Sequence, residues 1–384
     1  MMQPTLKRIH VLGIGSIGSL FAFHLVRNAN PVSLIFKTRE KADLFIKSGS
    51  KIGILEQYKI ENDKNSKETA ISPYHSTLNN IGICYQSGFI AETSKGEYST
   101  EPQEKTRESN KLNSEQIYKQ TYSVKKASSI NTLLVTTKTY QTLTAIKNIS
   151  HRLSNDPVII ILQNGMGVIE ELLEYFLSAK NGPSPKFIIG TTSHGCMPQK
   201  KNFCFDHTGF GSLYFAEYEG NNYNKDNLNP NVKHVLEILS KLPLEPKIIE
   251  YPELYQQLLL KLAVNAIINP ITALNRCRNG LVFETQHEIH KNLIPLLCKE
   301  IETIYRAVFK PTMPNFALES NIYTNTFNVS KNTSNNHSSM LRDVENGNKT
   351  EIDYINGYLV RLATSFGIDA KYNKMLCEYI KKLS

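Results

Sequence analysis

The run Ile9-His10-Val11-Leu12-Gly13-Ile14-Gly15-Ser16-Ile17-Gly18 decides how this chain folds, because it joins a short apolar segment to three glycines spaced Gly-x-Gly-x-x-Gly. The apolar segment predicts a buried strand, and the apolar spacing of residues 19–26 predicts a helix directly after the glycines. The first glycine permits a tight turn, the second lets the backbone approach a pyrophosphate, and the third lets the helix pack on the strand. Because the helix N-terminus then faces the phosphates, this context predicts a dinucleotide-binding site.

The end of the next strand indicates which dinucleotide binds. Residues 31–36 read as a second strand, and Lys37-Thr38-Arg39 follows where an NAD-specific site carries Asp or Glu. Two cations suit a 2′-phosphate, so the sequence favours NADP(H), with Lys37 as the first candidate and Arg39 as the second. The alternative is that both cations are solvated side chains on a loop.

Composition bounds the class of protein. The 384 residues are 40% hydrophobic and suffice for two domains. The sequence shows no stretch near the roughly 18 consecutive apolar residues of a membrane span, so we expect a soluble protein with no membrane partner. About seven residues precede the first strand, which predicts no targeting peptide and a cytoplasmic location, with an internal organelle signal left open.

Charge and cysteine usage exclude other classes. The formal net charge of +9 would attract nucleic acid, or equally an anionic cofactor and an acid substrate. No nucleic-acid-binding motif accompanies the charge, so we expect no nucleic-acid partner. The six cysteines show no C-x-x-C spacing, which predicts neither a disulfide framework nor a metal site.

Patterns along the chain predict two domains. Strand and helix patterns alternate through residues 1–240, which predicts an α/β fold with a Rossmann-type, doubly wound, mostly parallel sheet. The polar stretch at about 56–129 reads as an insertion in that domain. Helical periodicity in 241–384 predicts an all-helical domain, interrupted by an exposed loop at 310–336. Lys138 and Asn164 follow predicted strands, at the sheet edge where such folds bind ligands.

One predicted helix carries a polar stripe. Lys261, Asn265 and Asn269 are spaced i, i+4, i+8 between strongly apolar residues. Polar groups on a buried helix are costly unless satisfied, so the stripe favours a functional cleft. The alternative is a snorkelling lysine with amides bonded to nearby backbone. Pro270 should kink or end the helix and free a backbone carbonyl, and Ser338 reads as a helix cap.

Longer motifs resemble a known family. They are, in chain order, Leu162-Gln163-Asn164-Gly165-Met166-Gly167, the run from Lys261 to Leu274, Arg278-Asn279-Gly280, Ser338-Ser339-Met340-Leu341, and the run from Thr350 to Gly357. With the glycine motif they resemble the ketopantoate reductase (2-dehydropantoate 2-reductase) family, in the enlarged form of its fungal members. The resemblance covers nearly the whole chain.

The resemblance implies an activity and a set of site residues. The activity is NADPH-dependent reduction of 2-dehydropantoate to pantoate, a step in pantothenate and coenzyme A biosynthesis, by a monomer or homodimer. Lys261 is the implied general acid, with Glu351 at the reacting centre. The implied substrate-binding residues are Asn265, Asn269, Asn279 and Ser339. The implied cofactor-binding residues are Gly13, Ile14, Gly15, Ser16, Ile17, Gly18, Lys37, Lys138, Asn164, Cys196 and Glu351.

Mechanistic expectations and two rivals accompany this interpretation. Apolar neighbours should lower the pKa of Lys261, while Glu351 should keep its amine charged and oriented. One rival is a related dehydrogenase acting on another 2-keto or 3-hydroxy acid, since a fold does not fix its substrate. The other is a non-catalytic, basic NADPH-binding regulator or RNA-associated protein, which would tolerate loss of the lysine.

Overall fold

The computed structural model describes residues 8–56, 83–98, 124–125, 129–179, 182–218, 229–284 and 288–383. They divide into two compact units. The sheet unit comprises the described parts of Met1–Thr137, Thr144–Leu162 and Ser178–Ile249. The helical unit comprises Lys138–Leu143, Gln163–Leu177 and the described parts of Glu250–Ser384. The helical unit thus begins its long segment at Glu250 rather than at 241, and it also includes two short segments from earlier in the chain.

Fourteen strands lie in the described residues. They are β1 Ile9–Leu12, β2 Val32–Phe36, β3 Ile52–Glu56, β4 Ile83–Gln86, β5 Ile90–Thr93, β6 Gly96–Tyr98, β7 Val124–Lys125, β8 Ile130–Val135, β9 Leu153–Leu162, β10 Lys186–Thr192, β11 Gly195–Pro198, β12 Cys204–Gly209, β13 Leu213–Tyr218 and β14 Pro246–Ile248. Ten form one sheet in the order β14-β13-β10-β9-β8-β1-β2-β5-β6-β7. Its six central strands, from β10 to β5, run parallel to one another. The predicted mostly parallel, doubly wound sheet is therefore confirmed.

Twelve α-helices are described. They are α1 Ser16–Arg27, α2 Arg39–Lys47, α3 Thr139–Ile149, α4 Val168–Ser178, α5 Pro230–Ser240, α6 Tyr251–Asn275, α7 Leu281–Glu284, α8 Glu288–Val308, α9 Glu319–Asn332, α10 Ser339–Glu345, α11 Asn356–Ser365 and α12 Lys371–Lys381. The predicted helices after residue 250 are largely confirmed at α6, α8 and α11. A 3-10 turn at Ile352–Tyr354 precedes α11, which begins at Asn356.

A second, four-stranded sheet in the order β11-β12-β3-β4 was not predicted. Helix α1 contacts both sheets. This position explains why Phe23 is fully buried although it lies on the opposite side of the helix from Phe21 and Leu25, which are also fully buried. A surface helix would bury one stripe only.

The interpretation of 56–129 as one polar insertion was wrong where the structure describes it. Strand β5 pairs in parallel with β2 inside the main sheet, and β4 pairs with β3 in the small sheet. Residues 57–82, 99–123 and 126–128 lie outside the described residues. The misreading has a physical cause, because β5 carries a charged residue at a buried position.

That residue, Glu92, is fully buried in a polar cluster of the sheet unit. Its Oε2 lies 2.6 Å from Nη2 of Arg152, and its Oε1 lies 3.7 Å from Nε2 of His10. Arg152 also donates to the carbonyl of Thr93 at 3.1 Å. Pairing and hydrogen bonding allow a carboxylate to be buried in a sheet that is otherwise apolar.

The core of the helical unit is α6, which contacts α8, α9, α10 and α12. This helix is long and apolar enough to cross a membrane, but 72% of its apolar window is buried inside the protein, as in the core helix of a globular unit. The exposed loop expected at 310–336 is also wrong, because α9 occupies much of it. Ile322, Thr326 and Ser330, at i, i+4, i+8, form its buried face, and the polar composition of that face concealed the helix.

Candidate functional site

The glycine turn has the geometry that its sequence predicts. Gly13 has φ +103°, and a Cβ there would lie 2.5 Å from the amide nitrogen of Thr137. A Cβ at Gly18 would overlap the carbonyl oxygen of Gly13, whereas nothing lies within 4 Å of a Cβ placed at Gly15. The N-terminus of α1 begins after Gly15 and has no side-chain cap. Close packing on one side and open space on the other fit a dinucleotide pyrophosphate at this helix start.

The side chain of Cys196, on β11, contacts the backbone of the glycine turn. Its thiol donates to the carbonyl of Ser16 at 3.3 Å. Burial, and secondarily the negative charge of Asp206, raises the pKa of the Cys196 thiol to about 12. The described partner of this predicted cofactor residue is therefore protein backbone, and the thiol stays protonated at neutral pH.

The basic segment after β2 is open to solvent. Lys37 is exposed, and Thr38 caps α2 by accepting from the amide of Lys41 at 3.4 Å. Arg39 is also exposed but lies 3.9 Å from the carboxylate of Asp43, one turn along α2. Both cations fit a 2′-phosphate, and the neighbouring carboxylate makes Arg39 the weaker candidate.

In the helical unit, Glu351 occupies a buried position at the start of α3. Its Oε1 accepts from the amide of Thr139 at 2.9 Å and from the hydroxyl of the same residue at 3.1 Å. Its Oε2 lies 3.7 Å from Nζ of Lys138. Burial raises the pKa of Glu351, although the ammonium of Lys138 and both bonds from Thr139 act to lower it. An anion at a helix N-terminus is also favoured by the helix dipole.

Lys138 is shared between two carboxylates. Its Nζ lies 2.7 Å from Oδ2 of Asp343, closer than to Glu351. Burial disfavours the charged amine, but Glu351 and Asp343 outweigh it, and the pKa of Lys138 is raised. Burial raises the pKa of Asp343 despite its bond to Lys138.

Lys261 lies half-buried on α6, on the same helix face as the half-buried Asn265 and the buried Asn269. Burial lowers the pKa of the Lys261 amine from 10.5 to about 8, while the negative charge of Glu351 acts to raise it. Both directions confirm the expectation from sequence. An amine with this pKa can give up a proton near neutral pH, which is the property a general acid requires.

Comparisons with known proteins agree on one family. Models described as "Ketopantoate reductase PanE/ApbA" and "Ketopantoate reductase PanE/ApbA C terminal" match residues 9–220 and 253–384. The chain belongs to the ketopantoate reductase family.

Named relatives extend this result. The 2-dehydropantoate 2-reductase of Saccharomyces cerevisiae is 28% identical over 98% of this chain and 94% of its own. That of Vibrio cholerae is 30% identical over 65% of this chain and 77% of its own. Among solved structures, a probable 2-dehydropantoate 2-reductase from Bacillus subtilis has TM-score 0.65 at 23% identity, covering 98% of this chain and 100% of its own. A D-mandelate dehydrogenase with NADH has TM-score 0.67 at 17% identity, with 98% coverage of both chains. These two structures support the fold.

Within the helical unit, motifs that are distant in the sequence contact one another in pairs. The hydroxyl oxygens of Thr272 and Ser338 lie 2.7 Å apart, within hydrogen-bond distance, and Ser338 accepts from the amide of Leu341 at 3.0 Å. The predicted cap at Ser338 is thus confirmed, and the exposed Ser339 follows it at the start of α10. Asn164 precedes Gly165, whose φ is +78° and where a Cβ would lie 2.6 Å from the carbonyl oxygen of Tyr354.

Asn279 has different surroundings. Its side-chain Nδ2 donates to the hydroxyl of Thr333 at 2.9 Å, and its backbone carbonyl accepts from the hydroxyl of Ser330 at 2.7 Å. These contacts tie it to α9, so the structure shows an anchoring role, and its predicted contact with substrate stays a prediction.

Asp343 is the residue that the sequence analysis missed. It lies on α10, two residues after the end of the quoted motif Ser338-Ser339-Met340-Leu341, but a lone aspartate on a helix carries no signal of its partner. Among the described residues, no group of three or more His, Cys, Asp or Glu side chains could hold a metal ion.

Proposed function

We propose that this protein reduces 2-dehydropantoate to pantoate with NADPH. The observation that carries the proposal is the Lys261 amine, with a pKa lowered to about 8 and under the influence of Glu351, on the motif helix of a ketopantoate reductase. The names of the yeast and bacterial relatives support the substrate.

Each residue has a distinct task in this proposal. NADPH, when bound, supplies the hydride. The ammonium of Lys261 stabilises the negative charge that develops on the ketone oxygen and then protonates it. Asn265, Asn269 and Ser339 donate hydrogen bonds that orient the carboxylate and hydroxyl of the substrate. Glu351 keeps Lys261 charged until the proton is needed.

The choice of NADPH over NADH is supported by the segment after β2. No acidic residue stands at positions 37–39, and Lys37 is exposed there. A lysine ammonium suits a 2′-phosphate and gives no advantage to a ribose 2′-hydroxyl.

The test is the loss of reduced-nicotinamide absorbance with purified protein, 2-dehydropantoate and a panel of other 2-keto acids. We expect turnover with 2-dehydropantoate and NADPH, and a roughly 10²- to 10⁴-fold lower rate for Lys261→Ala with nearly unchanged NADPH binding. Lys299→Ala, at an exposed position on α8, is the matched control. Normal turnover by Lys261→Ala would refute the assignment, and turnover confined to another acid would replace the substrate.

Lys37→Ala tests the cofactor assignment separately. We expect its KM for NADPH to rise about 10-fold, in line with loss of a charge-assisted contact, with the KM for NADH unchanged. An equal rise for both cofactors would contradict the role of Lys37 at a 2′-phosphate.

A further inference from the structure

Helix α6 runs through a proline. Pro270 has no amide N–H, so the carbonyl four residues earlier, that of Ala266, loses its intrahelical partner. Of the two outcomes predicted for Pro270, a kink or an end of the helix, the structure excludes the end, since α6 continues to Asn275. The freed carbonyl is therefore buried inside an otherwise continuous helix, where an unpaired acceptor is costly.

A side chain from another helix replaces the missing donor. Nδ2 of Asn356, the first residue of α11, donates to the carbonyl oxygen of Ala266 at 2.8 Å. Asn356 is completely buried. The carbonyl that Pro270 was expected to leave without its helix partner is thus that of Ala266, and it accepts a hydrogen bond from the side-chain amide of Asn356.

The orientation of the Asn356 side-chain amide is fixed by its hydrogen bond to Asn373, which is in turn oriented by Glu300. Glu300 accepts from the backbone amide of Asn373 at 2.9 Å and from its Nδ2 at 2.7 Å. Because that carboxylate accepts both bonds, Asn373 turns its Oδ1 toward Asn356, whose Nδ2 donates to it at 2.9 Å. Both partners of the Asn356 amide are then acceptors, so its NH₂ group must face Ala266.

The hydrogen bond from Asn356 to the carbonyl of Ala266 lies in the middle of the polar stripe of Lys261, Asn265 and Asn269. Ala266 follows Asn265 directly, and Asn269 precedes the proline. Beyond the break, the hydroxyl of Thr272 donates to the carbonyls of Ile268 and Asn269 at 2.8 and 2.9 Å. Side-chain hydrogen bonds therefore replace the one missing bond of the helix ladder and supplement the ladder next to it, in the part of α6 that carries Asn265 and Asn269.

We propose that Asn356 is a positioning residue for the reduction, which bridges the break at Pro270 and so fixes the turn bearing Lys261 and Asn265 relative to the turn bearing Asn269. The inference rests on the proposed function. It assigns to Asn356 no contact with substrate or cofactor.

The test is a double-mutant cycle of Asn356→Leu and Pro270→Ala. Leucine removes the donor at similar volume, while alanine at 270 restores an amide that can bond to Ala266. We expect Asn356→Leu to lower kcat/KM for the keto acid about 10- to 100-fold, as expected for a small misplacement of catalytic groups, with unchanged NADPH affinity. In the double variant we expect kcat/KM to return to within about threefold of Pro270→Ala alone.

Asn275→Leu is the matched control. Its Nδ2 donates at 2.7 Å to the carbonyl of Ile271, which the helix ladder also serves, so its loss should leave kcat/KM unchanged. Wild-type kcat/KM in Asn356→Leu, or a loss that persists in the double variant, overturns the proposal. If Asn356→Leu is insoluble, the double variant decides: a soluble, active protein supports the proposal and an insoluble one overturns it.

Urea midpoints of the same four proteins provide a readout independent of substrate. If the wild type turns over no keto acid, the proposed function fails, but the midpoints still report whether the two substitutions are coupled. Additive shifts would overturn the bridging role by themselves.

Discussion

Replacing Lys261 with methionine should make the protein more stable while abolishing its proposed chemistry. Burial lowers the pKa of this amine from 10.5 to about 8, the value that includes the opposing effect of Glu351. At 1.36 kcal/mol per pKa unit, the charged amine costs the folded state about 3 kcal/mol relative to the unfolded chain. Methionine has a similar length and no charge. We therefore expect Lys261→Met to raise the free energy of unfolding at pH 7 by about 1–3 kcal/mol, the lower part of this range reflecting partial exposure.

The pH dependence of unfolding identifies the cause. Below pH 8 the amine is charged in both states, and the cost is fully present. Between about pH 8 and 10.5 the folded protein releases its proton while the unfolded chain keeps it, so wild-type stability should rise with pH in this window. The assay is urea unfolding of the wild type and Lys261→Met at several pH values. Subtracting one curve from the other removes the other titrating groups, so the difference should shrink to near zero above about pH 10.5.

Lys299→Met is the control for a change in composition alone. Lys299 is exposed on α8, so its replacement should leave both stability and pH slope unchanged. The reasoning is refuted if Lys261→Met is no more stable than the wild type at pH 7. It is also refuted if the difference between the two curves does not depend on pH between 8 and 10.5.

Three further perturbations test other parts of the structure. Gly165→Ala should cost at least about 1–2 kcal/mol in urea unfolding, because φ is +78° and the new Cβ would lie 2.6 Å from the carbonyl oxygen of Tyr354. An unchanged midpoint would contradict that close approach. Arg152→Met should cost about 3–5 kcal/mol by leaving Glu92 buried without its partner, and adding Glu92→Gln should recover much of the loss. If Glu92→Gln recovers no stability, the loss in Arg152→Met is caused by packing and not by the buried charge of Glu92. Finally, kcat/KM should fall above about pH 8 as Lys261 loses its proton, and a flat profile to pH 10 would contradict its role as acid.

Local sequence was sufficient where one short segment determines the structure. The turn from β1 to α1 was predictable because Gly13 and Gly18 each have a local reason, a positive φ at Gly13 and a close backbone approach at both. The small sheet was not, because β3 pairs with β12, which follows it by some 150 residues, and nothing in either strand identifies its partner. Helix α9 was missed because its buried face carries Thr326 and Ser330, at positions where apolar periodicity leads one to expect leucine or valine.

The same distinction applies to the candidate site. Lys261, Asn265 and Asn269 share one helix face, so their spacing alone predicts that they act together. Asp343 and Lys138 are 205 residues apart, and their contact at 2.7 Å exists only in the folded helical unit. The sequence could identify Lys138 as a candidate from its position after a strand, but it could not identify Asp343 as its partner.

Glu351 shows why the chemistry of this unit cannot be separated from its folding. One carboxylate oxygen caps the start of α3 through Thr139, and the other lies near the ammonium of Lys138. The carboxylate whose charge acts to raise the pKa of Lys261 thus accepts two bonds from a helix terminus, which act to lower its own pKa although burial raises it. Removing Glu351 would remove the negative charge that acts on Lys261 and also the acceptor at the start of α3. A loss of activity alone would therefore not identify the role of Glu351. Lys261 is different, because burial lowers its pKa and we expect the fold to gain stability when its charge is removed; a lysine at this position is then best explained by function.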